Sequence, residues 1–194
     1  MSLAPPFTRE TANAKVKKAQ DLWNTRCVFT ISDSSPLVDR HRNPQNVSKA
    51  YTEDSVWRNR DKFLTGQAEI VEFLTAKWNK EKNYRLRKEL FAWTENRIAV
   101  QFWYEYQDSN DGLKWKRYVL LYHARPLRRH MGKDHDARDA DVSRCYGLED
   151  WTFAQDGRMR KRQMSGNDVE ISEAERWFTD GVDVNSVDIS EKHW

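Results

Sequence analysis

The sequence is poor in cysteine, in long apolar runs and in net charge. Its only two cysteines, Cys27 and Cys145, can form neither a disulfide framework nor a CxxC metal or redox motif. No apolar run approaches the roughly 18 residues of a membrane span, and the first ten residues lack the apolar core of a signal peptide. A formal net charge of +3 is too small to indicate nucleic-acid binding. We therefore expect a cytoplasmic protein with no membrane and no nucleic-acid partner.

Histidine is also scarce, and its positions argue against a metal site. The histidines that come closest to a cluster all lie in one polar stretch beside two aspartates: His123, His130, His135, Asp134 and Asp136. Metal ligands need surrounding structure that fixes their positions, and we do not expect a polar loop to supply it. The sequence also lacks a glycine-rich phosphate loop and a GxSxG elbow. We predict no metal and no cofactor.

Aromatic residues are plentiful instead, with nine tryptophans, seven tyrosines and eight phenylalanines. Each buries a large apolar area, so a substantial core is possible despite the low apolar fraction. In the first half of the chain, apolar residues recur at helical spacing. This spacing predicts a helix over 8–26, a short helix over 44–51 and a third helix that begins at Gly66, with a short strand over 55–60 between the last two.

The apolar period changes to two residues from Tyr84 onward. Alternation of this kind predicts strands, with turns where aspartate, asparagine and glycine cluster at 108–112 and 155–157. The predicted strands cover 84–92, 98–106, 145–153 and 158–167. Helices followed by a meander of strands predict an α+β fold, in which the helices pack on one face of a curved antiparallel sheet.

Two stretches, 27–42 and 118–144, interrupt this pattern. Their removal leaves 151 residues and makes the interrupted elements continuous. Each stretch begins at or just before a valine, whose codons all begin with GT, as a translated retained intron would. A lineage-specific loop is the other interpretation. The sequence thus predicts a single domain over 1–194, with atypical insertions at 27–42 and 118–144 and a C-terminal tail from about 179.

Outside these stretches, several long segments carry a resemblance, among them NPQNVSKAYTEDSVWRNR, FLTGQAEIVEFLTAKWNKEKNYRLRKELFAW and YGLEDWTFAQDGRMRKRQMSGND. They resemble a family of unknown function within the nuclear-transport-factor-2-like, or SnoaL-like, superfamily. The resemblance implies a conical barrel, in which a strongly curved antiparallel sheet wraps around N-terminal helices and leaves a pocket at the wide end. It also implies a homodimer through the outer face of the sheet. The superfamily includes cyclases, an isomerase, dehydratases and non-catalytic adaptors, so the fold alone does not decide the function.

Two carboxylates are candidates for acid–base catalysis. Glu105 alternates with Trp103 on a central strand, and Asp168 stands at the end of the last strand. Desolvation in an aromatic pocket raises the pKa of a carboxyl group, which can then exchange protons near neutral pH. The alternative is that carboxylates pair with arginines across the sheet, and we favour this for Glu89 and Glu149.

The candidate pocket lining is rich in tryptophan. Buried indole N–H groups need partners, and a partly wet aromatic pocket supplies them, although aromatic pairing at a dimer interface is the alternative. The predicted lining residues are Trp57, Asn59, Trp103, Trp115, Trp151 and Asn167. The basic run at 158–162 is assigned to a solvated or interface face, with Arg158, Arg160 and Arg162 on one ridge.

Three functional hypotheses remain open. The leading one is a protein that binds a small-molecule ligand in this pocket and acts as a cofactor-independent acid–base enzyme of the isomerase, cyclase, dehydratase or hydrolase type. The second is a non-catalytic dimeric binding or adaptor module that uses the same fold as a scaffold. The third is a non-productive splice form whose shorter relative is the active species.

Overall fold

The structure is a computed structural model, and it describes residues 2–24, 43–108 and 142–189. Three α-helices and six strands make up this part of the chain. In chain order they are α1 (Arg9–Trp23), α2 (Pro44–Ser48), β1 (Tyr51–Asn59), β2 (Lys62–Thr65), α3 (Gly66–Lys80), β3 (Glu81–Trp93), β4 (Arg97–Asp108), β5 (Val142–Phe153) and β6 (Met159–Ile171), followed by a 3-10 turn at Glu173–Glu175. None of the helices described here is both long and apolar enough to cross a membrane.

The helices begin where the sequence predicts them. At the start of α1, the hydroxyl of Thr8 accepts a hydrogen bond from the backbone N–H of Thr11, which caps the helix. In α3, the apolar residues Ile70, Leu74 and Trp78 are buried. Helix α2 is shorter than predicted and ends at Ser48, because the chain then enters strand β1.

The six strands form one mixed sheet in the order β2-β1-β6-β5-β4-β3. All neighbouring strands are antiparallel except β1 and β6, which are parallel. The α+β class and the curved sheet are confirmed, whereas the sheet is not closed into a barrel. The predicted antiparallel sheet departs from that pattern at one pairing, where β1 runs parallel to β6.

Side chains of α1, and of Asn24 directly after it, bond the backbone of the edge strand β3. The backbone N–H of Leu86 donates to Asn24 Oδ1 at 2.8 Å, and the backbone N–H of Lys88 donates to Gln20 Oε1 at 2.9 Å. Asn24 and Lys17 also donate to the backbone carbonyls of Leu86 and Lys88. The edge strand thus finds hydrogen-bond partners on a helix, so it does not need another strand.

The sheet carries apolar side chains on both faces. Its concave face packs against the helices and holds most of the core, including Trp57, Phe102 and Trp151. Its outer face is partly covered by residues 176–189, which we name the C-terminal strap. Phe178 and Val184 of the strap pack against Trp103 in a second buried cluster. The segment predicted as a tail from about 179 therefore contributes to this packing.

The predicted insertions fall mostly outside the described residues. This applies to 27–42 and to 118–141, and also to Trp115. The last three residues of the second predicted insertion, Val142–Arg144, belong to strand β5 and pair with the end of β4. Strand β5 thus starts three residues earlier than the sequence predicted.

Candidate functional site

A small cavity lies between the concave face of the sheet and helices α1 and α3. About 10 Å³ of it is open to the centre of a water molecule, which is room for roughly one water. Charged, amide and aromatic side chains surround this space. The lining residues are Trp23, Asn59, Lys77, Tyr84, Leu86, Lys88, Phe102, Tyr104, Glu149, Arg162 and Met164.

Three charged side chains of this lining form a buried triad. Lys88 Nζ donates to Glu149 Oε2 at 2.7 Å, and Arg162 donates from an Nη atom to Glu149 Oε1 at 2.6 Å. Each of the three side chains is no more than 3% exposed. Two cations thus share one carboxylate in the interior of the fold.

Strand register explains how these three residues meet. Glu149 pairs with Met164 on β6, and Arg162 lies two positions before Met164. The side chains of Glu149 and Arg162 therefore point to the same, concave face. Lys88 pairs with Phe102 on β4, which faces the same cavity. The second Nη atom of Arg162 donates to Asn59 Oδ1 at 3.0 Å, which connects β1 to the triad.

The triad perturbs the ionisation of its members in opposite directions. Burial lowers the pKa of Lys88 to about 8, with the charge of Arg162 acting in the same sense and that of Glu149 opposing it. Burial opposes the ionisation of Glu149, but the charges of Arg162 and Lys88 outweigh it and lower the pKa of Glu149 to about 2. Glu149 is therefore ionised at neutral pH, and Lys88 can exchange a proton in the physiological range.

Aromatic rings enclose the triad. Lys88 Nζ lies 5.1 Å from the ring centre of Trp151 and 5.3 Å from that of Phe102, and the guanidinium of Arg162 lies 4.7 Å from the ring of Trp57. Such contacts favour a buried cation. The indole N–H of Trp151 donates to Glu149 Oε2 at 2.6 Å, whereas the buried indole N–H of Trp57 has no hydrogen-bond partner within the described ranges.

A second polar cluster centres on Arg60, directly after β1. Arg60 donates from an Nη atom to Asp168 Oδ1 at 2.7 Å and to the hydroxyl of Tyr104 at 3.2 Å. The same atom lies 3.0 Å from Cys145 Sγ, and burial raises the pKa of this thiol to about 12. Lys77 donates to Glu81 at 2.6 Å on the other side of Tyr104. Each carboxylate here has a cation beside it, and the thiol is protonated.

The structure brings only part of the predicted pocket together. Trp57, Asn59 and Trp151 lie on the concave face, although of these only Asn59 lines the cavity directly. Asp168 shares that face but pairs with Arg60. Asn167 alternates with Asp168 and is exposed on the outer face.

Trp103 and Glu105 are placed on the outer face, away from the cavity. Their strand neighbours Phe102 and Tyr104 line the cavity, so alternation directs Trp103 and Glu105 to the other side. Glu105 is fully buried there beneath the C-terminal strap. The prediction that these two residues share a cavity with Asn59 is therefore wrong.

Glu105 fixes the strap to the sheet. Its carboxylate accepts hydrogen bonds from Arg144 Nε at 2.8 Å and from the backbone N–H groups of Trp177 at 2.9 Å and Phe178 at 3.1 Å. The guanidinium of Arg144 also stacks on the ring of Trp177 at 3.6 Å. These contacts satisfy both carboxylate oxygens, which is the arrangement expected of a structural ion pair.

Sequence reasoning missed the triad. Glu149 pairs with cations, as the sequence predicted. Its partners are Lys88 and Arg162, and the carboxylate lines the cavity. Arg162 was expected on an outer ridge with Arg160. A β-bulge beside Arg160 changes the alternation, so Arg160 is exposed and Arg162 is buried. The available signal was the position of Lys88 in register with the apolar residues of β3.

No group of histidine, cysteine, aspartate or glutamate residues in the described parts of the chain is arranged to hold a metal ion. The side chains that surround the cavity are instead suited to hydrogen bonding, charge pairing and aromatic packing with an organic molecule.

Three solved structures are similar to this chain, and the first of them supports the fold. An NTF2-like protein of unknown function from Exiguobacterium sp. 255-15 superposes with a TM-score of 0.50 at 7% identity, covering 80% of this chain and 99% of that one. A putative SnoaL-like polyketide cyclase from Shewanella denitrificans OS-217 gives 0.48 at 13% identity, covering 79% and 85%. The epoxide hydrolase/cyclase-like enzyme SalBIII gives 0.48 at 9% identity, covering 79% and 85%.

Sequence comparison assigns the family. No curated protein matches the chain significantly. A family model described as "Protein of unknown function (DUF1348)" matches residues 5–36, 38–122 and 128–179, ranges that run through parts of both predicted insertions. The chain therefore belongs to this family of unknown function, and its fold is similar to that of an NTF2-like protein.

Proposed function

We propose that this protein binds a small organic molecule in the concave cavity and acts on it by cofactor-independent acid–base chemistry, as an isomerase, cyclase, dehydratase or hydrolase does. The observation that carries the proposal is the Lys88–Glu149–Arg162 triad, which lines the cavity with its three charges almost completely buried. Lys88, rather than the carboxylates favoured from the sequence, is then the group that transfers the proton.

The energetic cost of the triad supports a functional role. Burial of each charge costs several kcal/mol, and well-packed apolar side chains are often as stabilising as a buried ion pair. The walls around Lys88 are otherwise aromatic, so an apolar residue would suit this position for packing alone. Strongly perturbed ionisable groups that line a cavity are typical of binding and catalytic sites.

Each member of the triad has a role that its contacts support. Lys88 titrates near the operating pH, which is the condition for efficient general acid–base catalysis. Glu149 stays ionised and accepts a hydrogen bond from Lys88, which orients the ammonium group. Arg162 holds Glu149 from the other side and is itself oriented by Asn59.

Ligand entry requires side chains of the wall to move, because the free space fits about one water molecule. Lys77 and Met164 belong to this wall, and both have long unbranched side chains that can change rotamer. We therefore propose a compact ligand with an apolar body that packs against the aromatic walls.

The second candidate is the non-catalytic binding or adaptor module. The small volume of the cavity favours it, since a scaffold needs no open site. The self-neutralising pair of Arg60 and Asp168 fits a scaffold equally well.

A thermal-shift screen of compact metabolites against wild type, Lys88→Met and Lys62→Met separates the two candidates. Lys62→Met is the matched control, because it makes the same chemical change at an exposed lysine on β2. We expect a ligand that stabilises wild type and the control but not Lys88→Met. Proton–deuterium exchange of that ligand in D₂O, followed by NMR, should require Lys88. Stabilisation that is equal in all three proteins would place the ligand elsewhere, and an absence of any ligand would favour the adaptor.

A further inference from the structure

We propose, on the basis of the function above, that the ligand is a monoanion of the carboxylate class whose charged group is bound beside Lys88. The geometry that carries this inference is the imbalance of charge at the cavity. Lys88 and Arg162 both contact the single carboxylate of Glu149, so the triad has two positive charges and one negative charge.

Charges on the surrounding elements do not remove this surplus. From α3, Lys77 faces the cavity and forms an ion pair with Glu81 at the start of β3, at 2.6 Å. Strand β1 contributes the neutral Asn59, α1 contributes Trp23, and β4 contributes Tyr104. Burial raises the pKa of Tyr104 well above its ordinary value, so its hydroxyl stays neutral. A bound anion would complete the charge balance.

Hydrogen-bond donors near the surplus charge are also unused. An ammonium group has three N–H donors, and within the described residues Lys88 Nζ has a hydrogen-bond partner only in Glu149. The indole N–H of Trp57, which belongs to the ring that packs against Arg162, is buried and unpartnered among these residues. A carboxylate accepts several hydrogen bonds in one plane, so it suits the free donors of Lys88.

The net charge of the triad and the aromatic lining of the cavity restrict the ligand class further. One surplus cation balances one negative charge, whereas a phosphate dianion would leave the buried site with an excess of negative charge. Trp23, Phe102 and Tyr84 offer flat apolar surfaces around the charged centre. A small carboxylate with a planar or aromatic body therefore fits both the charge and the lining.

Matched pairs of acid and amide test this inference by isothermal titration: acetate with acetamide, benzoate with benzamide, and indole-3-acetate with indole-3-acetamide. We expect at least one carboxylate to bind ten times more tightly than its amide, because only the anion offsets the surplus cation. This preference should disappear in Lys88→Met and persist in Lys62→Met. Lys88→Gln is the replacement variant if Lys88→Met does not fold.

Proton uptake provides a second readout. A bound anion favours the charged form of Lys88, so binding at pH 8.5 should take up protons, which titrations in two buffers of different ionisation enthalpy detect.

Equal affinity for acids and amides would overturn this inference and leave the proposed binding function intact. Failure of all six probes, while other compounds from the metabolite screen bind through Lys88, would overturn it as well. If no compound of either set binds, both proposals fail.

Discussion

Glu105 and Glu149 show how surroundings give two buried glutamates different roles. Glu105 pairs with Arg144 and with Arg176 of the strap, and Arg176 also pairs with Glu173, so two cations meet two carboxylates there. Glu105 also accepts backbone N–H groups of the strap and so holds two segments together. Glu149 lies at a cavity and is shared by two cations that lack a second anion. Both carboxylates are buried, and what distinguishes them is whether the local charge is balanced.

Glu149→Gln should destabilise the fold strongly. The change leaves Lys88 and Arg162 buried without their carboxylate, and removal of one partner from a buried ion pair costs about 3–5 kcal/mol. We expect the free energy of unfolding in urea to fall by at least about 3 kcal/mol. The matched control is Asp150→Asn, the next residue, whose ion pair with Arg97 is exposed. It should cost less than about 1 kcal/mol. Similar losses in both variants would contradict this account of the triad.

The lowered pKa of Lys88 predicts a pH dependence of stability. Burial lowers this pKa from 10.5 to about 8. Between these pH values the unfolded chain binds more protons at Lys88 than the folded chain does, so the free energy of unfolding rises with pH. The burial penalty, which is fully present below about pH 8, is lost as the pH approaches 10.5. The shift corresponds to a gain of about 3 kcal/mol across this range.

The comparison with Lys88→Met isolates this contribution. Burial raises the pKa values of Tyr51, Tyr104 and Tyr106, and their titration acts against stability at high pH. Those contributions are common to both proteins and cancel in the difference. Urea unfolding from pH 7 to 10 should therefore show wild type gaining stability relative to Lys88→Met. A constant difference over this range would rule out a titrating Lys88.

At the scale of elements, the sequence predicted the helices and most of the strands, but it missed β2 and did not identify which face of β4 is concave. Strands with one wet face reveal the buried face by alternation of apolar and polar residues. In β4 both faces are covered, the concave one by the helical layer and the outer one by the strap. Phe102 and Trp103 are therefore both apolar and both buried. Alternation placed Trp103 and Glu105 on one face correctly, and no local signal identified that face.

Two other differences arise from a backbone bulge and from side-chain contacts between distant parts of the chain. The burial of Arg162 depends on a bulge at Arg160, and bulges change alternation without a reliable sequence signature. The open sheet depends on side chains such as Asn24 and Gln20 that bond the edge of β3. These contacts join residues more than 60 positions apart, so no local pattern reveals them.

Glu105→Gln should release the C-terminal strap. A glutamine at this site loses the charge that Arg144 pairs with, and its amide nitrogen cannot accept one of the two N–H groups, that of Trp177 or that of Phe178. We expect amide hydrogen exchange at these two residues to accelerate at least tenfold, with little change in β5. Glu72→Gln is the control, because it makes the same chemical change at an exposed glutamate of α3, in the helical layer. Unchanged exchange in the strap would show that Glu105 does not hold it.

The pairing of β4 and β5 predicts that the segment 118–144 can be excised. Gln107 is in register with Val142, so the two strand ends lie side by side and a short turn can join them. Excision places Arg117 directly before Cys145, in the position that Arg144 occupies, and the arginine partner of Glu105 is kept. A shorter connection also lowers the entropy lost on closing the loop, by about 1 kcal/mol.

The shortened chain should therefore unfold at an equal or higher urea concentration than the full chain. Arg117→Ala should destabilise it as strongly as Arg144→Ala destabilises the full chain, since each removes the partner of Glu105. A shortened chain that is insoluble or less stable would show that the segment is needed for folding.

At the scale of the whole molecule, the strap leaves part of the outer face uncovered. It packs against Trp103 of β4, with Tyr146 of β5 beside the same cluster. Further along the outer face, Leu148 is 55% exposed and Val169 is 49% exposed. Exposed apolar residues on the central strands of a sheet are typical of a surface that meets another protein.

We predict a homodimer in which the outer faces of β5 and β6 meet around Leu148 and Val169. The double change Leu148→Asp and Val169→Asp places charges in that surface, so it should produce a monomer by sedimentation equilibrium at tens of micromolar, where wild type is dimeric. Phe63→Asp is the control, because Phe63 is 76% exposed but belongs to the edge strand β2. A monomeric wild type, or a double variant that stays dimeric, would contradict this interface. A dimer that the Phe63 change disrupts would instead place the contact at the β2 edge.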